Sequence, residues 1–369
     1  MLRILFHIHA LNIGGAERQL TYLVKGLVER GCDVHVVTLY PGGRFWQELE
    51  DWGGCSLYSL NRKGKWDFSV VAKLVRYIRL HPIDLVQGWM APCNSFAALA
   101  AKLTGIPMYM TIRASNAEYG FGGRMYARAD KAVANWLVKR VIFNSYAGCN
   151  YHLSLGYQKE KSMVIPNGLS IPKNLSFPEP FQHELPWRIG MIARLVPMKD
   201  QVMMFAALQL LLQRGMAVEL HLYGDGAADY KRQIKDEAEK LGVDAQIHWH
   251  GFTSDVWGVL GQLDIVSSSS SYGEGMSNTL LEAMMAKRPI VATDVGDAKS
   301  MLRGEAGRCG EIVPAKDARA MAEAILALIQ SPADAVKMGE KARGIAASEY
   351  SVNAMVERYD RIYNEIHVK

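Results

Sequence analysis

The sequence has few cysteines and no long apolar run, and both absences limit what the protein can be. The 369 residues include five cysteines, an odd number with no pair at CxxC spacing. This pattern argues against a disulfide framework and against a cysteine-based zinc site, and it favours a reducing compartment. No stretch approaches 18 uncharged apolar residues, so we expect no transmembrane helix. The cysteines are Cys32, Cys55, Cys93, Cys149 and Cys309.

The N-terminal segment "MLRILFHIHALNIGGAERQ" is apolar for only a few residues before Asn, Gly and Glu appear. That order is typical of a strand followed by a loop rather than of a signal peptide. We therefore expect a cytoplasmic chain.

The net charge of +5 is unevenly distributed. Residues 1–182 carry 21 Lys and Arg against 12 Asp and Glu, whereas residues 183–369 carry 21 against 25. A basic half beside an acidic half suggests that the first half meets an anionic partner. Nucleic acid, a phospholipid surface and a phosphorylated substrate all fit that description, and so does an ordinary solvated surface.

Short apolar strands alternate with longer helical patterns in two blocks. The first block runs from "RILFHIHA" to "KSMVIPNG", and Gly31 and Gly105 end two of its helices. The segment "PNGLSIPKNLSFPEPFQHELPW" (166–187) has five prolines and no periodicity, which is typical of a linker. The rhythm restarts at "RIGMIA". Each block therefore predicts an α/β domain with a doubly wound parallel sheet.

We predict an acceptor-side domain over 1–170, a linker over 171–187 and a second domain over 188–348. A C-terminal helix over 349–369 is expected to pack back towards the first domain. Open α/β sheets bind ligands beyond the carboxyl ends of their strands, so two such domains facing across a cleft would bind one ligand between them.

The loop after the first strand, in "HIHALNIGGAERQ", contains Gly14 and Gly15 before a helix. Glycine allows close backbone approach, and a helix N-terminus offers free N–H groups to an anion. A plain strand-to-helix turn explains the pair equally well. His7 and His9 share a face of this strand, where a metal pair is conceivable, but packing at a sheet edge is the simpler interpretation.

The loop "GMIARLVPMKDQ" places Arg194 and Lys199 five residues apart after a strand of the second block. Two cations at the carboxyl end of a strand suit a diphosphate, because Arg donates in a plane and Lys supplies a mobile point charge. Solvated loop cations are the alternative.

The segment "SYGEGMSNTLLEAMMAKRPIVATD" carries two glutamates, Glu274 in a loop and Glu282 in a helix. We expect that helix to begin near Ser277 or Asn278, both good N-cap types. Phosphates repel carboxylates, so the two glutamates would instead accept hydrogen bonds from sugar and ribose hydroxyls. The loop amides, Arg194 and Lys199 would hold the phosphates. Two solvated glutamates remain the alternative.

Together these segments resemble the retaining glycosyltransferases of family four, which have the GT-B fold of two Rossmann-like domains. The matching pieces are "GGAERQ", "ARLVPMKD", "LYGDG" and "EGMSNTLLEAMMAKRPIVATDVGD", which occur in the family's order along nearly the whole chain. The last piece is the family's E-x7-E pattern, and it is the most specific of the four.

The resemblance implies roles for individual residues. Glu282 would bind the ribose, Glu274 the donor-sugar hydroxyls, and Arg194 with Lys199 the diphosphate. Backbone donors would come from the segment Gly275, Met276, Ser277 and Asn278. Gly14 and Gly15 would line the phosphate side, and Gly224 and Phe252 would lie near the base.

One position departs from the family pattern. Many members have a histidine just past the strand that corresponds to "PMYMTIRAS", and this chain has Arg113 there. The resemblance then suggests that Arg113 adds a cation near the leaving diphosphate or an acceptor phosphate. A structural arginine at a strand end is the other interpretation.

The implied function is retaining transfer of a hexose or N-acetylhexosamine from a nucleotide diphosphate sugar, with a UDP-sugar favoured. The acceptor would be a hydroxyl of a glycan or lipid-linked molecule in cell-surface polysaccharide or glycolipid biosynthesis. The chain contains no Asp-x-Asp, the arrangement that commonly holds a nucleotide-sugar through a metal. We therefore expect no metal in the reaction, no cofactor beyond the donor, no nucleic acid and no obligate protein partner.

Two segments with aromatic residues beside Arg and Lys, "GGRFWQELEDWGG" and "AEYGFGGRMYARADKAVANW", suggest peripheral contact with an anionic membrane at its cytoplasmic face. Aromatic residues packed under loops would look the same.

Two other functions compete with transfer. A GT-B-like protein that binds nucleotide-sugars without transferring them is the alternative prediction. A dinucleotide-dependent oxidoreductase would need G-x-G-x-x-G after the first strand, and "HALNIGGAER" lacks that spacing.

Overall fold

The computed structural model describes residues 1–64, 67–113, 121–171, 176–303 and 307–365, with the backbone alone described over 121–127. The chain divides into two compact units. The first combines Met1–Gly168 with Val352–Lys369, and the second is Leu169–Ser351.

The first unit is built on a parallel sheet that has seven strands in the described residues, in the order β3-β2-β1-β4-β5-β6-β7. Its central strands are buried on both faces, as expected when helices cover a parallel sheet. The strands are β1 (Arg3–Ile8), β2 (Asp33–Thr38), β3 (Ser56–Ser59), β4 (Leu85–Trp89), β5 (Met108–Ile112), β6 (Arg140–Phe143) and β7 (Ser162–Val164).

The helices of the first unit include one from the far end of the chain. They are α1 (Gly15–Glu29), α2 (Arg44–Trp52), α3 (Ser69–Leu80), α4 (Cys93–Thr104), α5 (Phe121–Leu137), α6 (Tyr146–Ser154) and α14 (Val352–Asn364).

Helix α14 buries a stripe of apolar and aromatic residues against α1 and the sheet. Val356, Tyr359 and Tyr363 recur at three- and four-residue spacing and are all at least 98% buried. The Tyr363 hydroxyl donates to Gln87 Oε1 at 2.5 Å. These contacts make α14 part of the core of the first unit.

The second unit has a parallel sheet of six strands in its described part, in the order β10-β9-β8-β11-β12-β13. The strands are β8 (Trp187–Ile192), β9 (Val218–Tyr223), β10 (Ile247–Gly251), β11 (Ile265–Ser268), β12 (Ile290–Thr293) and β13 (Glu311–Val313). The helices are α7 (Gln201–Gln213), α8 (Ala228–Leu241), α9 (Val256–Gln262), α10 (Asn278–Met285), α11 (Ala298–Leu302), α12 (Ala318–Gln330) and α13 (Pro332–Glu349).

The Pro-rich segment packs on the second unit where the structure describes it. The Phe181 backbone N–H donates to Asp264 Oδ1 at 2.7 Å, and its ring meets Trp187 edge-on at 5.3 Å. Residues 172–175 of the predicted linker lie outside the described residues, and the predicted domain boundaries stay predictions.

The aromatic segment "GGRFWQELEDWGG" forms α2, which is part of the core. Phe45 is 8% exposed and Leu49 is fully buried, while Trp46 and Trp52 pack against the same cluster. The alternative of aromatics packed under a loop is therefore closer to the structure than a membrane contact. Part of the second aromatic segment lies outside the described residues, and its Trp136 is 81% exposed. Among the helices that the structure describes, none combines the length and apolar character needed to cross a membrane.

His7 is fully buried in β1, whereas His9 is exposed. Strand β1 lies between β2 and β4, so the expectation that these histidines pack at a sheet edge is wrong. The Nδ1 of His7 lies 2.8 Å from the Val37 carbonyl oxygen. Burial lowers the pKa of His7 to about 4, which keeps this imidazole neutral at neutral pH.

Candidate nucleotide-sugar site

The loop between β8 and α7 presents the two predicted cations. Arg194 is exposed, and in the described part of the chain no ion pair of its guanidinium is found. Lys199 ends a short 3-10 turn, Pro197–Lys199, and its side chain is only 16% exposed. Asp200 adopts a left-handed φ of 48° and caps α7 by accepting from the Met203 N–H at 3.3 Å. Asp200 thus ends the 3-10 turn and begins α7, which fixes the backbone position of Lys199.

The loop between β11 and α10 presents the predicted carboxylates and amides. Helix α10 begins at Asn278 with Ser277 as N-cap, whose hydroxyl accepts from the Leu280 N–H at 3.4 Å. The prediction that this helix begins near Ser277 or Asn278 is confirmed. Its first-turn N–H groups face the carboxyl edge of the sheet, where an anion is stabilised by the helix dipole.

An ion pair joins the two loops. The Lys199 Nζ contacts both carboxylate oxygens of Glu274, with Oε2 at 3.0 Å, and the Glu274 side chain is only 12% exposed. Because both groups are largely desolvated, their attraction exceeds that of a surface pair. The structure therefore brings together two residues that the sequence separates by 75 positions.

Backbone hydrogen bonds hold the Lys199 loop on the extension of β11. The Ser269 hydroxyl donates to the Lys199 carbonyl at 2.8 Å, and the Ser271 N–H donates to the Met198 carbonyl at 2.9 Å. The serine run after β11 thus anchors the loop that carries the ammonium group.

A second set of contacts holds the Glu274 loop from the other side. The Asp297 N–H donates to the Gly275 carbonyl at 3.0 Å. Gly296 has a φ of 65°, and a Cβ there would lie 2.5 Å from the Gly275 oxygen. Only glycine accommodates both the left-handed backbone and this approach. The "DVGD" sequence after β12 therefore supports the carboxylate loop.

Two contacts align α10 and β9 with the end of β8. The Thr279 hydroxyl donates to the Ile192 carbonyl at 3.0 Å. Gly224, with a φ of 141°, lies so close to β8 that a Cβ would be 1.8 Å from the Ala193 oxygen. The close approach of the ends of β8 and β9 therefore requires glycine at 224, independently of any contact that Gly224 makes with a ligand.

The remaining predicted residues of this unit differ in exposure. Glu282 and Met276 are 7% and 8% exposed, whereas Phe252 is 80% exposed on the loop after β10. A buried carboxylate next to an N-terminal turn suits hydroxyl donors, and an exposed ring suits stacking on a flat ligand. Glu282 and Met276 are therefore fixed by packing, while Phe252 is free to meet a ligand.

The predicted residues of the first unit sit in a different environment. Gly14 is the N-cap of α1 and is extended, with φ −171°. The Glu17 carboxylate folds back over it, since its Oε2 would be 2.1 Å from a Cβ on Gly14. An anion at Gly14 or Gly15 would have to displace or share this carboxylate. Glu17 occupies the position that the glutamate of a capping box has, three residues after the N-cap, although Gly14 has no side chain to complete the motif.

Arg113 is held by neighbours of its own unit. Its guanidinium donates to Asn167 Oδ1 and lies 5.1 Å from the centre of the Trp89 ring. Burial lowers the pKa of Arg113, and the nearby Tyr359 and Glu17 oppose that effect. Sequence reasoning missed Asn167 and Trp89 as its partners, because nothing in their local pattern links three segments so far apart.

Two family models match the chain in succession. The model described as Glycosyltransferase Family 4 matches residues 13–171, and the model described as Glycosyl transferases group 1 matches residues 186–331. The chain belongs to the glycosyltransferases of family four. The first match contains Gly14, Gly15 and Arg113, and the second contains the Lys199–Glu274 pair.

Curated glycosyltransferases resemble about half of the chain. The poly(ribitol-phosphate) alpha-N-acetylglucosaminyltransferase of Staphylococcus aureus (strain COL) is 29% identical over 176 residues, which are 48% of this chain and 35% of that protein. The alpha-D-kanosaminyltransferase of Streptomyces kanamyceticus is 30% identical over 162 residues, 42% of this chain and 40% of that protein. The matches thus span well under half the length of these relatives.

Solved glycosyltransferase structures align with the whole chain. Alr3699/HepE of Anabaena in complex with UDP has a TM-score of 0.82 at 22% identity and covers 99% of this chain and 100% of its own. The same protein has also been solved with UDP-glucose. This chain therefore has the GT-B fold.

Proposed function

We propose that this chain transfers a hexose or N-acetylhexosamine from a UDP-sugar to a hydroxyl of a glycan or lipid-linked acceptor, with retention at the anomeric carbon. The proposed setting is cell-surface polysaccharide or glycolipid biosynthesis at the cytoplasmic face of a membrane. The proposal rests above all on the Lys199–Glu274 ion pair beside the exposed Arg194.

The ion pair supports this function because it places a cation and a carboxylate side by side, as the neighbouring diphosphate and sugar of a nucleotide-sugar require. The diphosphate of such a donor needs cations and amides, whereas its sugar and ribose offer hydroxyl donors. Lys199 and Arg194 supply the cations, and the first turn of α10 supplies the amides. Glu274 and Glu282 are the matching acceptors.

The proposed reaction breaks the bond between the anomeric carbon and the diphosphate oxygen. The same carbon forms a bond to the acceptor oxygen on the face that the diphosphate leaves. The departing phosphate oxygen takes the proton of the acceptor hydroxyl. Arg194 and Lys199 would stabilise the negative charge that develops on the diphosphate, and Glu274 would hold the sugar in place. Such a route uses no metal, because these two cations and the α10 N-terminus supply the positive charge.

UDP is favoured as the nucleotide because HepE, a structural neighbour, binds UDP and UDP-glucose. An anionic acceptor is favoured because residues 1–182 carry an excess of nine positive charges. The name of the Staphylococcus relative gives it an anionic polymer as acceptor. Sedimentation with anionic liposomes at low salt tests the membrane contact, and a chain that stays in the supernatant would disprove it.

A GT-B-like protein that binds nucleotide-sugars without transfer is the second candidate. The charged groups of the site would serve binding equally well. Release of free UDP in the presence of a panel of acceptors distinguishes the two, since a binding protein releases none with any acceptor.

A thermal shift screen of nucleotide-sugars tests the proposal directly. A UDP-sugar should raise the melting temperature of the wild type more than UDP alone. Glu274→Ala should remove the part of the shift that depends on the sugar, and Glu282→Ala the part that depends on the nucleotide. Glu237→Ala on the surface of α8 is the matched control. Equal shifts in all four proteins would overturn the assignment.

A further inference from the structure

Three histidines and one glutamate cluster on one face of the second unit's sheet, along β9 and β10. Glu219 and His221 lie two residues apart on β9, and His248 and His250 lie two apart on the edge strand β10. The register pairs His221 with His248. Residues two apart share a face of a regular strand, so Glu219, His221 and His248 lie on one face. The register shifts between Trp249 and Gly251, and the contact of His250 with His221 places His250 on the same face.

The spacing within the cluster matches the first shell of a metal ion. Glu219 Oε2 lies 3.2 Å from His221 Nε2 and 3.2 Å from His248 Nε2. One ligand atom from each residue lies within 4.8 Å of the others. Ligands at ~2.0–2.1 Å from a tetrahedral zinc ion are about 3.3 Å apart. Both Glu219 separations are therefore those of neighbouring ligands.

His248 Nε2 supplies a second, independent observation. This atom is buried and, among the residues that the structure describes, makes no hydrogen bond of acceptable geometry, although it lies beside the Glu219 carboxylate. The rest of the His248 side chain is 43% exposed, which gives an ion a route from solvent. A buried nitrogen without a hydrogen bond is costly unless a ligand completes it.

His250 is placed to orient His221. His250 Nε2 lies 3.1 Å from His221 Nδ1, and its ring stacks on Tyr223 with centres 4.2 Å apart. When His221 Nδ1–H donates to His250, the lone pair of His221 Nε2 points at Glu219. Metal-binding histidines usually have such an outer partner, which fixes the tautomer.

We propose that Glu219, His221 and His248 bind one divalent cation of the zinc class, with His250 orienting His221. Imidazole nitrogen and carboxylate oxygen are ligands that zinc accepts readily. The ion would join the edge strand β10 to β9, which is its sole neighbour in the sheet as described. This site is separate from the proposed transfer reaction, in which no metal takes part. The Glu-x-His and His-x-His spacings on adjacent strands were visible in the sequence, but their pairing required the sheet order.

Cobalt substitution tests the coordination directly. The full chain is stripped with EDTA and titrated with Co²⁺ alone, while visible absorption is recorded. The wild type should bind one ion per chain with the intense bands of a tetrahedral site, and Zn²⁺ should displace it. His248→Ala and Glu219→Gln should lose those bands. His250→Gln should keep them and weaken binding roughly 10–100-fold, as expected for an outer-shell partner.

Two controls separate this site from adventitious binding and from misfolding. His9→Gln removes an exposed histidine of the first unit and should leave the spectrum unchanged. Glu219→Gln keeps the size of the side chain, and circular dichroism checks its fold. Zn²⁺ should raise the melting temperature of the wild type and of His9→Gln, but not of His248→Ala or Glu219→Gln. A weak octahedral spectrum in the wild type, or equal binding by Glu219→Gln, would overturn the proposal.

Discussion

The two units have sheets of the same type but differ in what occupies the ends of their strands. In the second unit, two loops are joined by the Lys199–Glu274 pair, and Arg194 beside them is exposed. In the first unit, the cation Arg113 is held between Asn167 and Trp89, and the Glu17 carboxylate covers the start of α1. The second unit thus leaves one of its two predicted cations, Arg194, open to a ligand. In the first unit, Arg113 and the start of α1 are already in contact with side chains of that unit.

Two motifs that look alike in sequence can therefore differ in whether their side chains are available to a ligand. A glycine pair before a helix and an arginine after a strand are ordinary features of α/β loops, and here they are occupied from within. The E-x7-E segment combines two largely buried carboxylates with a loop that hydrogen bonds hold from both sides. Binding of the donor should therefore depend mainly on the second unit.

The largest expected effect comes from Lys199→Met. Loss of a group that stabilises developing diphosphate charge lowers kcat by about 10²–10³-fold. The rate of UDP release from a UDP-sugar, in the presence of an acceptor that the wild type uses, measures the change. Lys240→Met, which breaks the exposed pair with Glu237, is the control and should leave kcat unchanged. Full activity in a folded Lys199→Met protein would show that Lys199 has no role in the reaction and that the ion pair is only structural.

The next effect separates the two glutamates. Glu282→Gln should weaken binding of UDP by roughly 10–100-fold, because a hydrogen bond to a charged group contributes about 1.5–3 kcal/mol. Glu274→Gln should weaken a UDP-sugar but not UDP. Isothermal titration with both ligands measures the split, with Glu237→Gln as the control. The assignment fails when both variants lose affinity for UDP alike.

A stability difference of about 2 kcal/mol is expected from His7 in the first unit. Its folded pKa of about 4 lies below the ordinary value of 6.5, so the unfolded chain binds a proton first as the pH falls. The stabilising contribution is complete above pH 6.5 and is lost as the pH falls from there towards 4. Between pH 7 and pH 5 the loss is about 2 kcal/mol.

Urea unfolding at both pH values measures that loss. In His7→Gln the difference between pH 7 and pH 5 should shrink by this amount, whereas His9→Gln, just after the same strand, should keep it. An unchanged pH dependence in His7→Gln would place the acid sensitivity elsewhere in the chain.

The smallest effect is expected from Arg113→Met. Loss of the proposed cation near the diphosphate should lower kcat by about 10-fold and leave the affinity for UDP unchanged. Methionine keeps contact with Trp89 but removes the charge and the donor to Asn167. Arg79→Met, an exposed arginine on α3, is the control. A shift in melting temperature with no change in kcat would identify Arg113 as purely structural.

Much of the fold followed from sequence pattern, because strands buried on both faces and helices ended by glycine are local signals. The alternating pattern predicted the parallel sheets, and the N-cap type of Ser277 located the start of α10. Helix α2 was not identified, because its aromatic residues resembled a surface segment. The Lys199–Glu274 pair and the support of Asp297 for the Gly275 loop depend on strand order, which periodicity does not encode.

Helix α14 has a consequence for how the protein is made. It covers Trp89 and contacts Tyr109 and Gln87, all of which are synthesised long before it. Because the ribosome completes Leu169–Ser351 before α14, the nascent first unit leaves this aromatic surface uncovered until α14 emerges. The first unit therefore completes its folding only after α14 has emerged, and the second unit is free to fold before it.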